Sequence, residues 1–158
     1  MRPLPAAAAA ALPRNRPAAA RTVGAPLSDE WPAQNLLGVL ARQAQASADM
    51  EPFGVWVMIE RASATVVGDI GFHGPPDQTG TVELGYAVTP SRRRRGYAAE
   101  AARALVGWAC AQPSVKSIVA GCDPGNLPSI RTLEKAGFQP DGQTESELRW
   151  RFGGEPRR

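Results

Sequence analysis

The chain has 158 residues, 43% of them apolar, which suffices for one domain with a hydrophobic core and is too few for two ordinary domains. Its formal net charge is +3, and no run approaches the roughly 20 apolar residues that a membrane-spanning helix requires. Two cysteines and one histidine fit no metal-ligand spacing, which argues against a metal site. We predict a cytoplasmic protein in which Cys110 and Cys122 are reduced core residues.

The segment before Asp29 contains no acidic residue and carries an alanine-rich run among arginines. A targeting segment is one interpretation. The apolar run is short, however, and Pro5 and Pro13 bracket it closely, which favours a part of the folded domain. Residues 14–27 are rich in Arg, Pro and Ala and predict a connection.

Residues 28–32 have the features of a helix start. Ser28 is a capping residue, Asp29 and Glu30 suit the positive end of a helix dipole, and Pro32 suits a first turn. Apolar residues at helical spacing then predict a helix that runs to about Ser47.

Two strands are predicted next, over residues 54–61 and 65–73. Apolar residues alternate with others in the first segment and fill much of the second. Gly68 and Gly71 in the second strand indicate a bulge or a close approach of another backbone. His73 leaves that strand in a Gly-Pro-Pro turn, where it is either simply exposed or a base or substrate contact.

The most informative stretch is VELGYAVTPSRRRRGYAAE, residues 82–100. In its first part apolar residues alternate with others, which predicts a strand that ends before Pro90. In its last part apolar residues recur at helical spacing, which predicts a helix that begins near Gly96. Residues 93–98 between them read R-x-x-G-x-A, with small residues that let a ligand approach the backbone. The first turn of a helix has unpaired N–H groups and a positive dipole end, so this loop predicts a pyrophosphate site.

The rest of the chain predicts a strand, a short helix with a glycine C-cap, and final strands. They lie at Ser117–Cys122, residues 126–136 with Gly137, and from Phe138 on, with the last strand at residues 147–152 and a polar tail at 153–158.

Two of these segments, in this order, resemble motifs of the GCN5-related N-acetyltransferase (GNAT) family. Residues 93–98 resemble the acetyl-CoA-binding sequence Q/R-x-x-G-x-G/A after the family's fourth strand. Residues 126–138 resemble the segment N-x-x-S/A-x-x-x-x-E-K-x-G-F after its fifth strand. The GDIGF segment (residues 68–72) and the ELGY segment (residues 83–86) are most similar to those of one branch of the family. This branch contains the ribosomal-protein N-terminal acetyltransferases, the RimJ/RimL type. The resemblance covers about residues 55–152.

The resemblance implies an α/β GNAT fold. We expect a mixed, mostly antiparallel sheet of roughly six or seven strands, splayed between strands 4 and 5 and flanked by about four helices. It also implies a first strand at residues 1–4 and a first helix over about 5–12. A single domain is expected, with a helical acceptor-side part (1–53), a CoA-binding core (54–138) and last strands with a tail (139–158). Trp31 and Phe53 would then be substrate contacts or, alternatively, core or lid residues.

The cofactor that the resemblance implies is acetyl-CoA. Its pantetheine arm is expected to pair with the fourth strand, which carries a bulge there, and its phosphates to bind the arginine-rich loop. The second motif is expected to hold the arm and face the thiol. The implied residues are Tyr86, Ala87 and Val88 in the strand, Arg93, Arg94, Arg95, Gly96, Tyr97 and Ala98 in the loop and helix start, and Asn126 and Ser129 in the second motif.

The implied reaction is direct transfer of acetyl to a primary amine, a protein N-terminus or a small-molecule amine. The Val88 amide is expected to stabilise the thioester oxygen. Glu83 is the candidate base, acting through water, unless it is simply an exposed carboxylate. Many relatives have a tyrosine where this chain has Leu133. Either Ser129 or water then protonates the thiolate, or the thiolate need not be protonated at once.

Three alternatives remain open. A pseudo-enzyme could bind CoA as a regulatory ligand, since the tyrosine is missing and the base is uncertain. The basic block at residues 92–95 could contact nucleic acid, although no aromatic residues interleave with it. A purely structural domain is the third. The sequence does not specify the amine acceptor or whether the chain is a monomer or a homodimer, which the last strand could form by edge pairing.

Overall fold

The computed structural model describes residues 1–45, 47 and 51–153. Within these residues seven strands form one mixed sheet in the order β1-β2-β3-β4-β5-β7-β6. The strands are β1 (Arg2–Pro3), β2 (Val55–Ile59), β3 (Val66–Phe72), β4 (Thr81–Val88), β5 (Ser117–Cys122), β6 (Phe138–Gln143) and β7 (Leu148–Phe152). The helices are α1 (Ala6–Ala11), α2 (Arg16–Val23), α3 (Leu37–Gln43), α4 (Tyr97–Cys110) and α5 (Leu127–Ala136). The predicted α/β fold class is confirmed.

The chain divides into two compact units. The first comprises Met1–Gly71 and Tyr86–Arg95, and the second comprises Phe72–Gly85 and Gly96–Arg158. Strand β4 therefore contributes its first residues to the second unit and its last three to the first. Of the polar tail predicted for residues 153–158, residues 154–158 lie outside the described residues.

The first unit has an alanine-rich core. Its N-terminal strand β1 pairs with β2, with Arg2 opposite Val57, and α1 follows at once, as expected. Alanine has the highest helix propensity and a small side chain, so the short run forms a helix that packs closely. The buried cluster includes Leu4, Ala8, Ala9, Leu12, Ala19, Val23, Trp31, Leu40, Val55, Val57 and Val66. None of the helices in the described part of the chain has the length and apolar content of a membrane span.

Helix α2 lies where the sequence predicted only a connection, so that prediction is wrong. The Asn15 side chain accepts a hydrogen bond from the Ala18 amide at 3.0 Å and caps the start of the helix. Gly24 ends the helix with a left-handed φ of 76°. A capping asparagine, an early proline and a C-cap glycine are sufficient helix signals. The high proline and arginine content of the segment concealed them.

The helix predicted to start at Ser28 begins only at Leu37, and it ends at Gln43. Tertiary contacts hold the preceding residues out of a helix. The Glu30 carboxylate accepts hydrogen bonds from the amide and the hydroxyl of Ser91 instead of facing a helix dipole. Trp31 is only 2% exposed, and its indole N–H donates to Asp69 at 2.8 Å. The alternative that places Trp31 in the core is thereby confirmed, whereas part of the predicted helix end, residues 46 and 48–50, lies outside the described residues.

The second unit combines a parallel and two antiparallel strand pairs. Strand β4 pairs in parallel with β5, from Thr81 opposite Ser117 to Leu84 opposite Ala120. Strand β7 pairs antiparallel with both β5 and β6. The prediction that the last strand is an edge is therefore wrong. The β6–β7 hairpin folds back so that β7 is inserted, which buries Trp150, and β6 occupies the edge.

Candidate active site

The loop of residues 89–95, called here the arginine loop, is tied to the first unit by hydrogen bonds at its start. The amide of Thr89 donates to the Val67 carbonyl at 2.9 Å. The Arg93 Nε donates to the Val88 carbonyl at 3.0 Å, so this side chain fixes the end of β4. With the contacts of Ser91 to Glu30, these bonds hold the loop in one conformation.

A buried carboxylate orders two of the four arginines. Glu60 follows β2, and its side chain is 5% exposed. Its Oε1 atom lies 3.3 Å from Arg92 Nε and 3.4 Å from Arg95 Nη1, and the Ser63 hydroxyl donates to Oε2 at 2.6 Å. The Arg92 contact is an ion pair without hydrogen-bond alignment. A buried carboxylate requires such partners, so these two arginines balance an internal charge.

Arg94 differs from its neighbours. Its backbone is left-handed, with φ of 63°, and its side chain is exposed. Within the described residues this side chain makes no hydrogen bond or ion pair. The sequence assigned the whole block to phosphates, whereas the structure singles out Arg94 as the cation without an internal partner there. The sequence did not predict Glu60 as a partner of the arginines, because a single glutamate after a strand forms no recognisable motif.

Helix α4 begins in the second unit with an N-terminus suited to an anion. Its N-cap is Gly96, with φ of 83°, and within the described residues no side chain caps the helix. A Cβ atom built at Gly96 would meet no protein atom within 4 Å. The first-turn amides of a helix carry the positive end of its dipole, and Gly96 has no side chain that could cover this end of α4.

The end of β4 lies very close to Gly68 in the first unit. A Cβ atom built at Gly68 would stand 2.5 Å from the Ala87 carbonyl oxygen and 3.2 Å from Val88 Cα. A Cβ atom at Gly71 would stand 2.2 Å from the Gly54 carbonyl oxygen. The close backbone approach predicted for the two glycines is confirmed, and Gly68 sets the position of the β4 residues assigned to the cofactor.

Glu83 and His73, which the sequence treated separately, form a pair in the second unit. The His73 amide donates to the Glu83 carbonyl at 2.9 Å, and His73 Nδ1 lies 3.5 Å from Glu83 Oε2. The two side chains are 58% and 46% exposed. The pairing was missed because the residues are ten positions apart. Folding residues 65–88 as an antiparallel hairpin in the sequence would have placed them opposite each other.

The second motif forms the start of α5. The Asn126 side chain accepts a hydrogen bond from the Ser129 amide at 3.2 Å, so it caps this helix. Ser129 is half-buried, and Leu133 is fully buried in the core. Leu133 therefore presents no group to a thiol and has a packing role.

Neither cysteine belongs to the buried core, so the prediction of two core residues is wrong. Cys110 and Cys122 are free and half-buried, and burial raises the pKa of the Cys110 thiol, which keeps it protonated at neutral pH. In the described ranges no group of three or more His, Cys, Asp or Glu side chains could hold a metal ion.

A comparison with family models decides the classification. The model described as "Acetyltransferase (GNAT) domain" matches residues 1–139. The chain belongs to the GNAT family. This GNAT chain is 39% identical over 98 residues to the uncharacterized N-acetyltransferase YjdG of Bacillus subtilis, a match that covers 62% of the chain and 58% of the relative. The chain spans about half the length of the curated relatives it matches.

Two solved structures share the GNAT fold of this chain. The ribosomal-protein-S5-alanine acetyltransferase of Vibrio fischeri aligns with a TM-score of 0.67 and 14% identity over 95% of this chain and 90% of that one. AAC(6′)-Ib, solved in complex with Parmomycin and AcetylCoA, aligns with a TM-score of 0.63 and 18% identity over 95% and 89%. At these identities the likeness concerns the fold. The resemblance inferred from the two motifs is confirmed.

Proposed function

We propose that this GNAT chain transfers the acetyl group of acetyl-CoA directly to a primary amine, a protein N-terminus or a small-molecule amine, in a ternary complex. The observation that carries the proposal is the N-terminus of α4, which no side chain in the described part of the chain caps. It follows the left-handed Gly96, directly after the arginine loop. Family membership supplies the type of ligand. AAC(6′)-Ib, which shares the fold, has acetyl-CoA in its structure.

The residues present fit the parts of acetyl-CoA. We assign the phosphates to the Arg94 side chain and to the amides of Arg94, Arg95, Gly96, Tyr97 and Ala98. Arg93 acts indirectly, because it holds the Val88 carbonyl. The pantetheine arm is assigned to the backbone of Tyr86, Ala87 and Val88, since the paired register of β4 with β5 ends at Leu84 while β4 continues to Val88. Asn126 is also assigned to the pantetheine arm, and Ser129 is assigned to the thiol.

Bound acetyl-CoA supplies an acetyl group activated as a thioester. The Val88 amide is assigned to the thioester oxygen, where a fixed donor stabilises the negative charge that develops during attack. An amine with a pKa near that of lysine, about 10.4, is protonated at neutral pH, so a proton must leave it first. We assign that proton to the exposed Glu83 carboxylate on the polar face of β4. The Ser129 hydroxyl is assigned as the proton donor to the thiolate.

The first test is ligand-dependent stability. Saturating acetyl-CoA is expected to raise the Tm by roughly 5–10 °C, because a ligand that binds only the folded state stabilises it by mass action. Gly96→Glu should abolish this rise, since it places a side chain and a negative charge at the start of α4. Gly142→Glu is the matched control. Gly142 has a φ of 135° and open space around it, so the variant carries similar backbone strain but should keep the rise.

Thiol release is then measured on a panel of primary amines: a peptide with a free N-terminal alanine, spermine, an aminoglycoside and free lysine. Acceptor-dependent release establishes acetyl transfer and names the substrate class. A rise in Tm without release on any amine would favour a CoA-binding regulatory domain instead. An unchanged Tm would contradict the cofactor assignment, and the nucleic-acid interpretation of the arginine loop would then be tested by the salt dependence of binding.

Arg94 is expected to matter more for the cofactor than for folding. Arg94→Ala should weaken acetyl-CoA binding about 5- to 10-fold, because a charged hydrogen bond to phosphate is lost. The Tm should change little, because among the described residues this side chain has no partner. Arg21→Ala, an exposed arginine in α2, is the control and should bind normally. Calorimetric titration of both variants measures the difference. Equal affinities would remove Arg94 from the site.

A further inference from the structure

Three residues of the second unit form a small cluster on one side of β4. Glu83 and Gly85 are two positions apart and therefore lie on the same face of the strand. The His73 imidazole lies over them, with Nδ1 3.5 Å from Glu83 Oε2. A Cβ atom built at Gly85 would come within 2.8 Å of His73 Nε2. The absence of a side chain at Gly85 is therefore what makes room for the imidazole.

We propose that His73 is the proton acceptor of the transfer reaction and that Glu83 is the residue that positions it. The inference rests on the proposed function and deepens it, because it divides between two residues the task first assigned to Glu83 alone. No other histidine exists in the chain. Histidine is also the side chain whose ordinary pKa best suits proton transfer at neutral pH.

The orientation of the ring supports this division. A carboxylate next to Nδ1 stabilises the tautomer that carries its proton on Nδ1, which leaves the lone pair of Nε2 free to accept one. Nε2 lies over Gly85 and is thus further along β4 than the carboxylate. The exposure of the imidazole, 58%, leaves it accessible to an amine. A separation of 3.5 Å is long for a hydrogen bond, but catalytic hydrogen bonds are often long before the substrate binds.

The proton balance of the step is complete without a further reactant. The acceptor enters as an ammonium with three N–H bonds, and Nε2 of His73 removes one proton. The freed lone pair forms the C–N bond to the acetyl carbon while the C–S bond breaks and the sulfur leaves with its electron pair. The Ser129 hydroxyl donates its proton to the sulfur and takes a second proton from the nitrogen, which gives an amide with one N–H bond and a thiol. The imidazolium, stabilised by Glu83, then releases its proton to solvent.

Four variants separate this role from a merely structural pair. His73→Ala and Glu83→Gln are each expected to lower kcat about 100-fold while the KM for acetyl-CoA stays within about twofold. Gly85→Ala keeps both groups but displaces the ring, and it should lower kcat about 10-fold without loss of cofactor binding. Gly107→Ala is the control. It is an exposed α4 position with no atom within 4 Å of the added carbon, and its kcat should not change.

Two measurements would give no such result if His73 and Glu83 had only a structural role. Added imidazole should restore part of the kcat of His73→Ala, because the site is open to solvent. The ¹⁵N spectrum of the untagged free protein contains one imidazole, so it needs no assignment. It should show the Nδ1–H tautomer in wild type and a shift toward Nε2–H in Glu83→Gln and Gly85→Ala.

The outcomes distinguish this inference from the proposed function. A wild-type protein that acetylates an amine, together with a His73→Ala variant of normal kcat or one that imidazole does not restore, overturns the role of His73 alone. An Nε2–H tautomer in the wild type overturns the positioning role of Glu83. A wild type that acetylates no amine overturns the proposed function, and with it the role of His73 as base.

Discussion

Gly68→Ala is expected to lower the free energy of unfolding by about 3 kcal/mol and to abolish measurable acetyl-CoA binding. The added carbon would stand 2.5 Å from the Ala87 carbonyl oxygen, a distance at which one backbone must move. Both of the nearest atoms belong to the backbone and cannot rotate away as the Met58 side chain, 3.3 Å from the added carbon, can, so we expect the end of β4 to shift relative to β3. That end carries the Val88 amide and the carbonyl held by Arg93, which we assign to the cofactor.

Urea titration measures the stability of Gly68→Ala, and calorimetric titration with acetyl-CoA measures its affinity. Gly38→Ala is the matched control in the same unit, because its added carbon meets nothing within 4 Å. It lies in α3 and should leave binding unchanged and raise stability by up to about 1 kcal/mol. A Gly68→Ala protein that is folded at the assay temperature and binds acetyl-CoA with normal affinity would contradict the assignment of the pantetheine arm to the end of β4.

The elements of the second unit were predictable because local signals agree with the fold. Strand β5 was predicted residue for residue, since its alternation is bounded by clear turns. The start and end of α5 follow from the Asn126 cap and the left-handed Gly137. In such segments local preference and tertiary structure favour the same conformation, so pattern alone suffices.

The start of α3 was mispredicted because tertiary contacts decide the conformation of the residues before it. Ser28 to Pro32 has a complete set of helix-start residues, yet Glu30 is bonded to Ser91, which is 61 positions away. No local pattern encodes such a contact. The helix signals of α2 were present, by contrast, and were outweighed by the composition of the segment.

The candidate site shows the same division. Two sequence motifs predicted the backbone part, namely the arginine loop, Gly96 and Asn126, because backbone geometry depends on glycines and caps. The side-chain partners, Glu60 for two arginines and His73 for Glu83, were not predicted. Each of them joins residues from different elements. Motifs therefore predicted the backbone of the proposed ligand site, whereas the side-chain pairs that we assign to proton transfer and charge balance required the structure.

Asp69 is expected to make the stability of the fold fall as the pH rises from about 4 to about 6. Burial raises the pKa of this carboxyl from 3.8 to about 6, and the hydrogen bond from Trp31 opposes the effect only in part. Below pH 4 the carboxyl is protonated in both states. As the pH rises the unfolded chain releases the proton first, so the folded state binds more protons and loses stability relative to it. A difference of about two pKa units corresponds to about 3 kcal/mol, which is fully lost above the folded-state pKa.

The Asp69→Asn variant separates the contribution of Asp69 to the pH dependence of stability from the contributions of the other ionisable groups. The asparagine oxygen can still accept the indole N–H of Trp31, but the side chain no longer ionises. The free energy of unfolding of the variant minus that of the wild type should therefore increase by about 3 kcal/mol between pH 4 and pH 7. Trp31→Phe is the complementary variant. Because it removes the donor that favours the carboxylate, its stability should fall more steeply over the same range. Parallel curves for wild type and Asp69→Asn in urea titrations would mean that this carboxyl ionises as it does in water, and its burial against Trp31 would then carry no energetic cost.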